Sequence, residues 1–129
     1  MDDGSREARE NGARMIIEHI QGKVQTTPFV FMGDFNAPED SEALRIIKGN
    51  SGADQKLGVQ MVDSFRVLNP QRKNVGTYNG FTGQSDGPKI DYIMVRPSMK
   101  VIEASILQTN REGRYPSDHF PVTAQVGLP

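Results

Sequence analysis

The sequence predicts an α/β domain, with α+β as the close alternative, because helical patterns come first and strand patterns follow. Residues 5–21 carry apolar side chains at helical spacing, and a short apolar run at 29–32 precedes a second helical pattern. After residue 75 the pattern changes to short strands separated by glycine, proline, serine and asparagine turns.

The first two elements are an amphipathic helix and a strand. The helix is predicted over 5–21 and ends near Gly22, and its apolar face holds Ala8, Gly12, Met15, Ile16 and Ile20. His19 lies on its polar flank, where a solvated surface histidine is expected. The continuous apolar run at 29–32 predicts a strand that is buried on both faces.

A second helix is predicted within 37–49, since acidic residues occupy its first turn and Gly49 is a stop signal. A polar loop over 49–58 and a short strand over 59–65, turning at Asp63, are expected next.

The second half predicts four strands, mostly antiparallel, over 76–81, 89–95, 101–108 and 120–126. Apolar and polar residues alternate in the last of them, which indicates a sheet with one apolar side. One compact domain over 1–129 is expected, because a chain of this length can bury roughly two thirds of its unfolded surface around a single core.

Composition excludes several classes of protein. A net charge of -1 gives no strong positive field for holding nucleic acid. The chain has no cysteine, so it has neither disulfides nor thiolate metal sites. No apolar run approaches a membrane span of about 20 residues, and no signal peptide follows Met1. Localisation is therefore open, with the cytoplasm as the default.

Polar residues stand at the ends of three predicted strands. Asp34 and Asn36 follow the strand at 29–32, Asp91 interrupts an apolar strand, and Asp118 and His119 precede the last one. Carboxylates are costly to bury unless they are paired, hydrogen-bonded or bound to a metal.

Each of these positions has an ordinary explanation when it is taken alone. Asp34 could cap a turn. Asp91 could pair with Lys89 or Arg96, and the segment 118–119 could be a solvated loop.

Taken together, the same residues predict metal-assisted attack of water on a phosphate ester. A hard cation such as Mg²⁺ prefers carboxylate and amide oxygens, which Asp34, Asn36 and Asp118 could supply. A histidine that acts near neutral pH needs a carboxylate on its other ring nitrogen, and Asp91 is the candidate partner of His119.

The segments GDFNAPEDS, TYNGF, KIDYIMV and PSDHFPV, in this order, resemble the second half of the endonuclease/exonuclease/phosphatase superfamily, which has the DNase I-like fold. The helix over 5–21 is similar to the one before the GDFN strand, so the resemblance covers essentially the whole chain. It implies the C-terminal half of a DNase I-like sandwich, with one mainly antiparallel sheet and helices on one face. It also implies a phosphate-ester substrate and Mg²⁺ or Mn²⁺ as cofactor.

The resemblance implies a role for each polar residue. Asp34 is similar to the carboxylate that orients or deprotonates the attacking water, and Asn36 to the amide that holds the phosphate and supports the metal. Asp118 is similar to the metal-binding aspartate. His119, paired with Asp91, is similar to the histidine that contacts the phosphate. The implied catalytic set is Asp34, Asn36, Asp91 and His119; Asp118, Asp34 and Asn36 would hold the metal, and Asn36 and His119 the substrate.

The resemblance further implies that the chain is a fragment. The family's first half carries an Asn and the Glu that is the principal metal ligand, so weak metal affinity and little or no hydrolysis are expected of this chain alone. An apolar sheet face would also lack its partner sheet, and a homodimer could bury it. Thr77 and Phe81 match a Thr-aromatic element that is expected to be structural or to line the cleft.

A metal-dependent phosphoesterase is the favoured function, and the alternative is a non-catalytic truncated module that retains the fold. A glycosidase is disfavoured, because the residues next to Asp34 and Asp118 are not typical of a glycosidase site and the chain has no tryptophan to stack on a sugar. The near-neutral charge favours a small phosphate ester or lipid head group over long duplex DNA, and nucleic acid stays open. Five basic residues could contact phosphates at the rim: Arg66, Arg72, Lys73, Arg111 and Arg114.

Overall fold

The computed structural model describes residues 3–23, 27–52 and 59–129. Three helices and five strands lie in these ranges, in the order α1 (Asp3–Lys23), β1 (Val30–Asp34), α2 (Glu42–Lys48), β2 (Val62–Asp63), α3 (Ser64–Leu68), β3 (Asp91–Val95), β4 (Lys100–Ile106) and β5 (Val122–Gly127). Among the described helices, none is both long and apolar enough to cross a membrane. Most of the loop predicted over 49–58 lies outside the described residues.

The strands confirm the α/β class and the antiparallel pairing. The expected single sheet is instead two hydrogen-bonded sheets in the described ranges: β1, β3 and β2, with β3 in the centre, and a separate β4–β5 pair. A register shift between Val101 and Glu103 interrupts the β4–β5 pairing, and such irregularities bend a strand. Val95 of β3 packs with Val101 of β4 and Val126 of β5, so a shared apolar cluster joins the two sheets.

Helices α1 and α2 cover one face of the three-stranded sheet. Their apolar residues pack against Tyr92 and Met94 of β3, two residues apart and therefore on the same side of the strand. In α1 the buried side chains are Ala13 and Ile17, whereas Met15 is 70% exposed. The predicted helix is confirmed, but its predicted apolar face is wrong by about one residue. Two adjacent isoleucines at 16 and 17 left the centre of that face ambiguous in the sequence, and each residue turns a helix by about 100°.

The ends of α2 follow the sequence signals. The Ser41 hydroxyl accepts a hydrogen bond from the Leu44 N–H at 3.4 Å at the start of the helix. At its end Gly49 has a φ of 74°, the left-handed conformation that glycine adopts without strain. A Cβ at Gly49 would also lie 2.7 Å from the Val59 carbonyl oxygen, so the position requires glycine for space as well.

Strand β1 is an edge strand with one exposed face, and the prediction that it is buried on both faces is wrong. Phe31 packs toward the helices, while Val30 is 43% and Met32 67% exposed on the opposite side. Met32 lies across from the half-buried Ile93 of β3. This apolar side of β1 is the face that the sequence predicts would lack a partner sheet.

Self-association through this face stays a prediction, and Met32→Lys tests it. We expect the wild-type chain to dimerise with rising concentration, because large exposed apolar patches favour association, and the lysine variant to shift toward monomer. Light scattering coupled to size-exclusion chromatography measures the mass. Met15→Lys, on the helical side of the molecule, is the matched control and should leave the mass unchanged. A wild-type chain that stays monomeric at every concentration would contradict the prediction.

Two segments of the second half differ from the sequence prediction. Residues 76–81 form turns with an isolated bridge from Tyr78 to His119, because both Gly80 and Phe81 adopt positive φ and the chain cannot continue as a strand. Of the strand predicted over 59–65, only β2 (Val62–Asp63) forms, and the chain turns at Asp63 as predicted. Asp63 is then the N-cap of the short helix α3 (Ser64–Leu68), which the sequence did not predict. The alternation predicted for the last strand is confirmed, since Pro121, Thr123 and Gln125 are exposed and the residues between them are more buried.

Candidate active site

The pairing of β1 with β3 brings two carboxylates together at one end of the sheet. Asp34 and Asp91 are direct cross-strand partners. Because Tyr92 and Met94 face the helices, the alternation of β3 puts Asp91 on the other side of the sheet. Like charges directly opposite each other in a sheet are destabilising, so this end of the sheet carries an electrostatic cost that a positive group would relieve.

Asp34 also shapes the turn that follows β1. Its Oδ1 accepts a hydrogen bond from the Asn36 N–H at 2.8 Å, and Asn36 has a left-handed φ of 49°, which asparagine tolerates better than most residues. The turn-capping explanation of Asp34 is therefore correct. Asp34 caps this turn and also lies opposite Asp91. Asn36 itself is exposed at this corner.

His119 contacts Asp91 directly. Its Nδ1 lies 2.7 Å from Asp91 Oδ2, with side-chain exposures of 27% for the histidine and 18% for the aspartate. A carboxylate at Nδ1 favours the tautomer with the proton there, which leaves Nε2 as the nitrogen available to a ligand. The alternative in which Asp91 forms a salt bridge with Lys89 is wrong, because the Lys89 ammonium group pairs instead with Asp63, 2.8 Å from its Oδ2.

His119 and Asp91 form a dyad, and an open cleft of about 480 Å³ runs past it. Its polar lining includes Asp34, Asp91, Ser117 and His119, and its apolar lining includes Met32 and Val122. Neither Asn36 nor Asp118 contributes to this lining.

The carboxylate of Asp91 raises the pKa of His119, chiefly through their hydrogen bond, against the opposing effect of burial. Asp34 and Asp118 add smaller electrostatic contributions in the same direction. The protonated form of His119 is thus more favoured in the folded protein than in the unfolded chain. A protonated imidazole can donate a hydrogen bond to an anionic ligand.

Asp91→Asn is expected to lower the pKa of His119, which NMR titration of the imidazole C–H signals measures directly. Since the folded pKa lies above the unfolded value of about 6.5, the pair contributes stability below pH 6.5 and loses that contribution as pH rises through the folded pKa. The difference in unfolding free energy between wild type and variant should therefore be largest in mild acid and should shrink as the pH rises through the folded pKa of His119. An unchanged titration midpoint would contradict this.

The donor set is compatible with a divalent cation. Ligand atoms of Asp34, Asp91 and His119 lie within 4.8 Å of one another. His119 Nδ1 and Asp91 Oδ2 already engage each other, and Asp34 Oδ1 accepts from the Asn36 N–H. The second oxygens of Asp34 and Asp91 therefore remain as hard ligands, which suits a cation that keeps several waters. Asp118, predicted as the metal ligand, is not in this cluster, although its charge acts on His119. The metal-binding roles of Asp118 and Asn36 stay predictions.

The sequence profile of the Endonuclease/Exonuclease/phosphatase family matches residues 6–119. This chain belongs to that family. No curated protein is similar enough to match it.

Three solved structures are similar to almost the whole chain. An endonuclease/exonuclease/phosphatase from Bacteroides vulgatus is 30% identical with a TM-score of 0.77, and the match covers 96% of this chain and 45% of that one. A mannosyl-6-phosphatase from Bacteroides thetaiotaomicron is 28% identical, with a TM-score of 0.70 and coverages of 95% and 46%. A functionally unknown conserved protein from Enterococcus faecalis is 31% identical, with a TM-score of 0.71 and coverages of 95% and 45%. The chain therefore spans about half the length of these proteins.

Other residues around this candidate site were not predicted from the sequence. The Tyr78 ring meets the His119 ring edge to face, with centroids 5.4 Å apart. The N–H groups of Asn79 and Gly80 both donate to the Asp118 carbonyl, at 2.7 and 3.1 Å. The TYNGF segment therefore fixes the backbone that carries Asp118 and His119. The place of the TYNGF segment among the family motifs indicated that the segment matters, but the sequence did not show which residues it contacts.

One of the five basic residues predicted at the rim is already paired. Arg66 forms a two-point ion pair with Glu39, at 2.7 and 2.9 Å, and also donates to the carbonyls of Asn69 and Arg72. Its hydrogen bond lowers the pKa of Glu39. In this family member Arg66 thus joins α3 to the loop after β1, and a phosphate contact by Arg66 would have to break these bonds.

Proposed function

We propose that this chain supplies two parts of a phosphoesterase site: the His119–Asp91 dyad and the cation-binding carboxylates of Asp34 and Asp91. This site would hydrolyse a small phosphate ester with the help of a divalent cation. The observation that carries the proposal is the meeting of Asp34, Asp91 and His119 at one sheet end. Membership of the family supports a hydrolase that acts on phosphate esters.

Each residue has a separate task in this proposal. Bound Mg²⁺ would neutralise charge on the phosphoryl group. Asp34, exposed at the cleft, orients the attacking water or accepts its proton while the water oxygen bonds to phosphorus. The P–O bond to the alcohol breaks, and the departing alkoxide takes a proton from solvent water. Protonated His119 donates from Nε2 to a phosphoryl oxygen, while Asp91 holds Nδ1 and stabilises the charged ring. Asn36 would assist with the phosphate and Asp118 with the cation after local rearrangement.

A small substrate is favoured over a long nucleic acid. The net charge of -1 provides no broad positive surface for a polyanion. One structural neighbour is a mannosyl-6-phosphatase, which supports a sugar phosphate as the first compound to test.

The test combines binding with turnover. Mg²⁺ followed by mannose 6-phosphate is added to the isotope-labelled chain, and amide NMR signals are followed. We expect Mg²⁺ to shift the signals of residues 34 and 91 and the sugar phosphate to shift that of His119. Asp34→Asn should abolish the first effect, and Asp86→Asn, an exposed loop control, should not.

Phosphate release from mannose 6-phosphate, and 4-nitrophenolate release from bis(4-nitrophenyl) phosphate, are then measured with Mg²⁺ and with EDTA. The assay is run on this chain and, if its natural polypeptide is longer, on that polypeptide. Metal-dependent release supports the proposal. No binding and no release in either form would favour the non-catalytic module.

A further inference from the structure

Thr77 connects the two segments that carry the dyad. It is fully buried, so it does not line the cleft, which corrects that part of the sequence expectation. Its Oγ1 accepts hydrogen bonds from the N–H groups of Ile90 and Asp91, at 2.9 and 3.1 Å. Its carbonyl oxygen accepts from the Phe120 N–H at 2.7 Å. One residue thus bonds to Asp91 on one side and to the neighbour of His119 on the other.

The surrounding backbone holds Thr77 firmly in this place. Its own N–H donates to the Pro88 carbonyl at 3.0 Å. In the preceding residue a Cβ on Gly76 would lie 2.4 Å from the Gly87 carbonyl oxygen, so position 76 has no room for a side chain. Asp91 is anchored on its other side too, since Lys89 Nζ donates to the Asp91 carbonyl at 3.1 Å.

We propose that Thr77 is a positioning residue that sets the distance between Asp91 and His119 through its hydroxyl group. The hydrogen bond between His119 Nδ1 and Asp91 Oδ2, at 2.7 Å, joins two residues that are 28 positions apart in sequence. The hydroxyl and the carbonyl of Thr77 hold the two backbone segments that carry them in register. A charge-assisted hydrogen bond is sensitive to such spacing, and its loss lets the imidazole turn out of the orientation that presents Nε2 to the cleft. The effect of Thr77 on catalysis rests on the proposed function, whereas the effect of Thr77 on the dyad does not.

The first measurement reads the dyad itself, without metal or substrate. A hydrogen bond of 2.7 Å between His119 Nδ1 and Asp91 Oδ2 is expected to move the Nδ1–H NMR signal of His119 strongly downfield, so that signal is the readout. Thr77→Val keeps the shape of the side chain and removes the hydroxyl, so we expect this signal to move upfield or disappear in a chain that remains folded by its amide spectrum. Thr77→Ser keeps the hydroxyl and should retain the signal. Thr123→Val makes the same change at an exposed position of β5 and should also retain it.

The outcomes separate this proposal from a merely structural role. A folded Thr77→Val variant with an unchanged His119 signal would overturn it, and so would a folded Thr77→Ser variant that loses the signal, even if the valine variant does not fold. Where phosphate release is measurable, kcat should fall by up to about 100-fold in Thr77→Val, with KM little changed, because misplaced catalytic groups cost rate. A lost signal without any measurable hydrolysis in the wild type would leave the positioning role intact and count only against the proposed function.

Discussion

Lys89→Met is expected to lower the free energy of unfolding by about 3–5 kcal/mol, because it leaves a buried charge without its partner. The side chains of Lys89 and Asp63 are each 1% exposed, and their charged atoms lie 2.8 Å apart in an ion pair that is poorly aligned as a hydrogen bond. The ammonium group also lies 3.7 Å from the centre of the Tyr92 ring. Burial lowers the pKa of Lys89, and the charge of Asp63 opposes that shift.

The double variant Lys89→Met, Asp63→Asn should recover most of the loss, since it removes both charges while asparagine can still cap α3 at the Phe65 N–H. Urea unfolding followed by circular dichroism measures both variants. Lys100→Met, at an exposed position of β4, is the control and should stay within about 0.5 kcal/mol of wild type. A similarly small effect at position 89 would show that the buried pair contributes little.

His119→Ala should reduce kcat/KM for phosphate-ester hydrolysis by about 10²–10⁴-fold in the polypeptide that shows metal-dependent hydrolysis, whether this chain or a longer natural one. That is the usual range when a positioned acid-base group is removed. The assay is phosphate release at saturating Mg²⁺, so weaker metal binding does not obscure the result. Asp91→Asn should cause a smaller loss, because it removes the partner of the imidazole and leaves the imidazole itself.

The chain carries a matched control for this experiment. His19 is the other histidine and is exposed on α1, and His19→Ala should leave the rate unchanged. Thermal unfolding of both variants checks that the fold persists. Equal rates for wild type and His119→Ala would remove the dyad from the proposed mechanism.

The sequence predicted those features that local chemistry determines. Gly49 ends α2 because its φ is positive, and β5 alternates because one side of it is apolar. The three polar groups that the structure brings together, Asp34, Asp91 and His119, were also identified from their positions at strand ends. In each case the residue type and its neighbours sufficed.

Other features depend on contacts between distant segments, which single-sequence patterns do not contain. The division into two sheets follows the pairing partners of β4, and the burial of Ile17 follows how α1 docks on the sheet. Lys89 belongs to an ion pair with Asp63, 26 positions earlier in the chain, and its place before an apolar strand did not reveal that partner. The directions of the Asn36 and Asp118 side chains are likewise tertiary properties.

The juxtaposed carboxylates of residues 34 and 91 have a consequence for thermostability. A divalent ion that occupies this corner only in the native state shifts the folding equilibrium by mass action. The melting temperature of the chain should therefore climb with added MgCl₂ beyond what NaCl of equal ionic strength produces. Folding and ion uptake would then be one linked equilibrium.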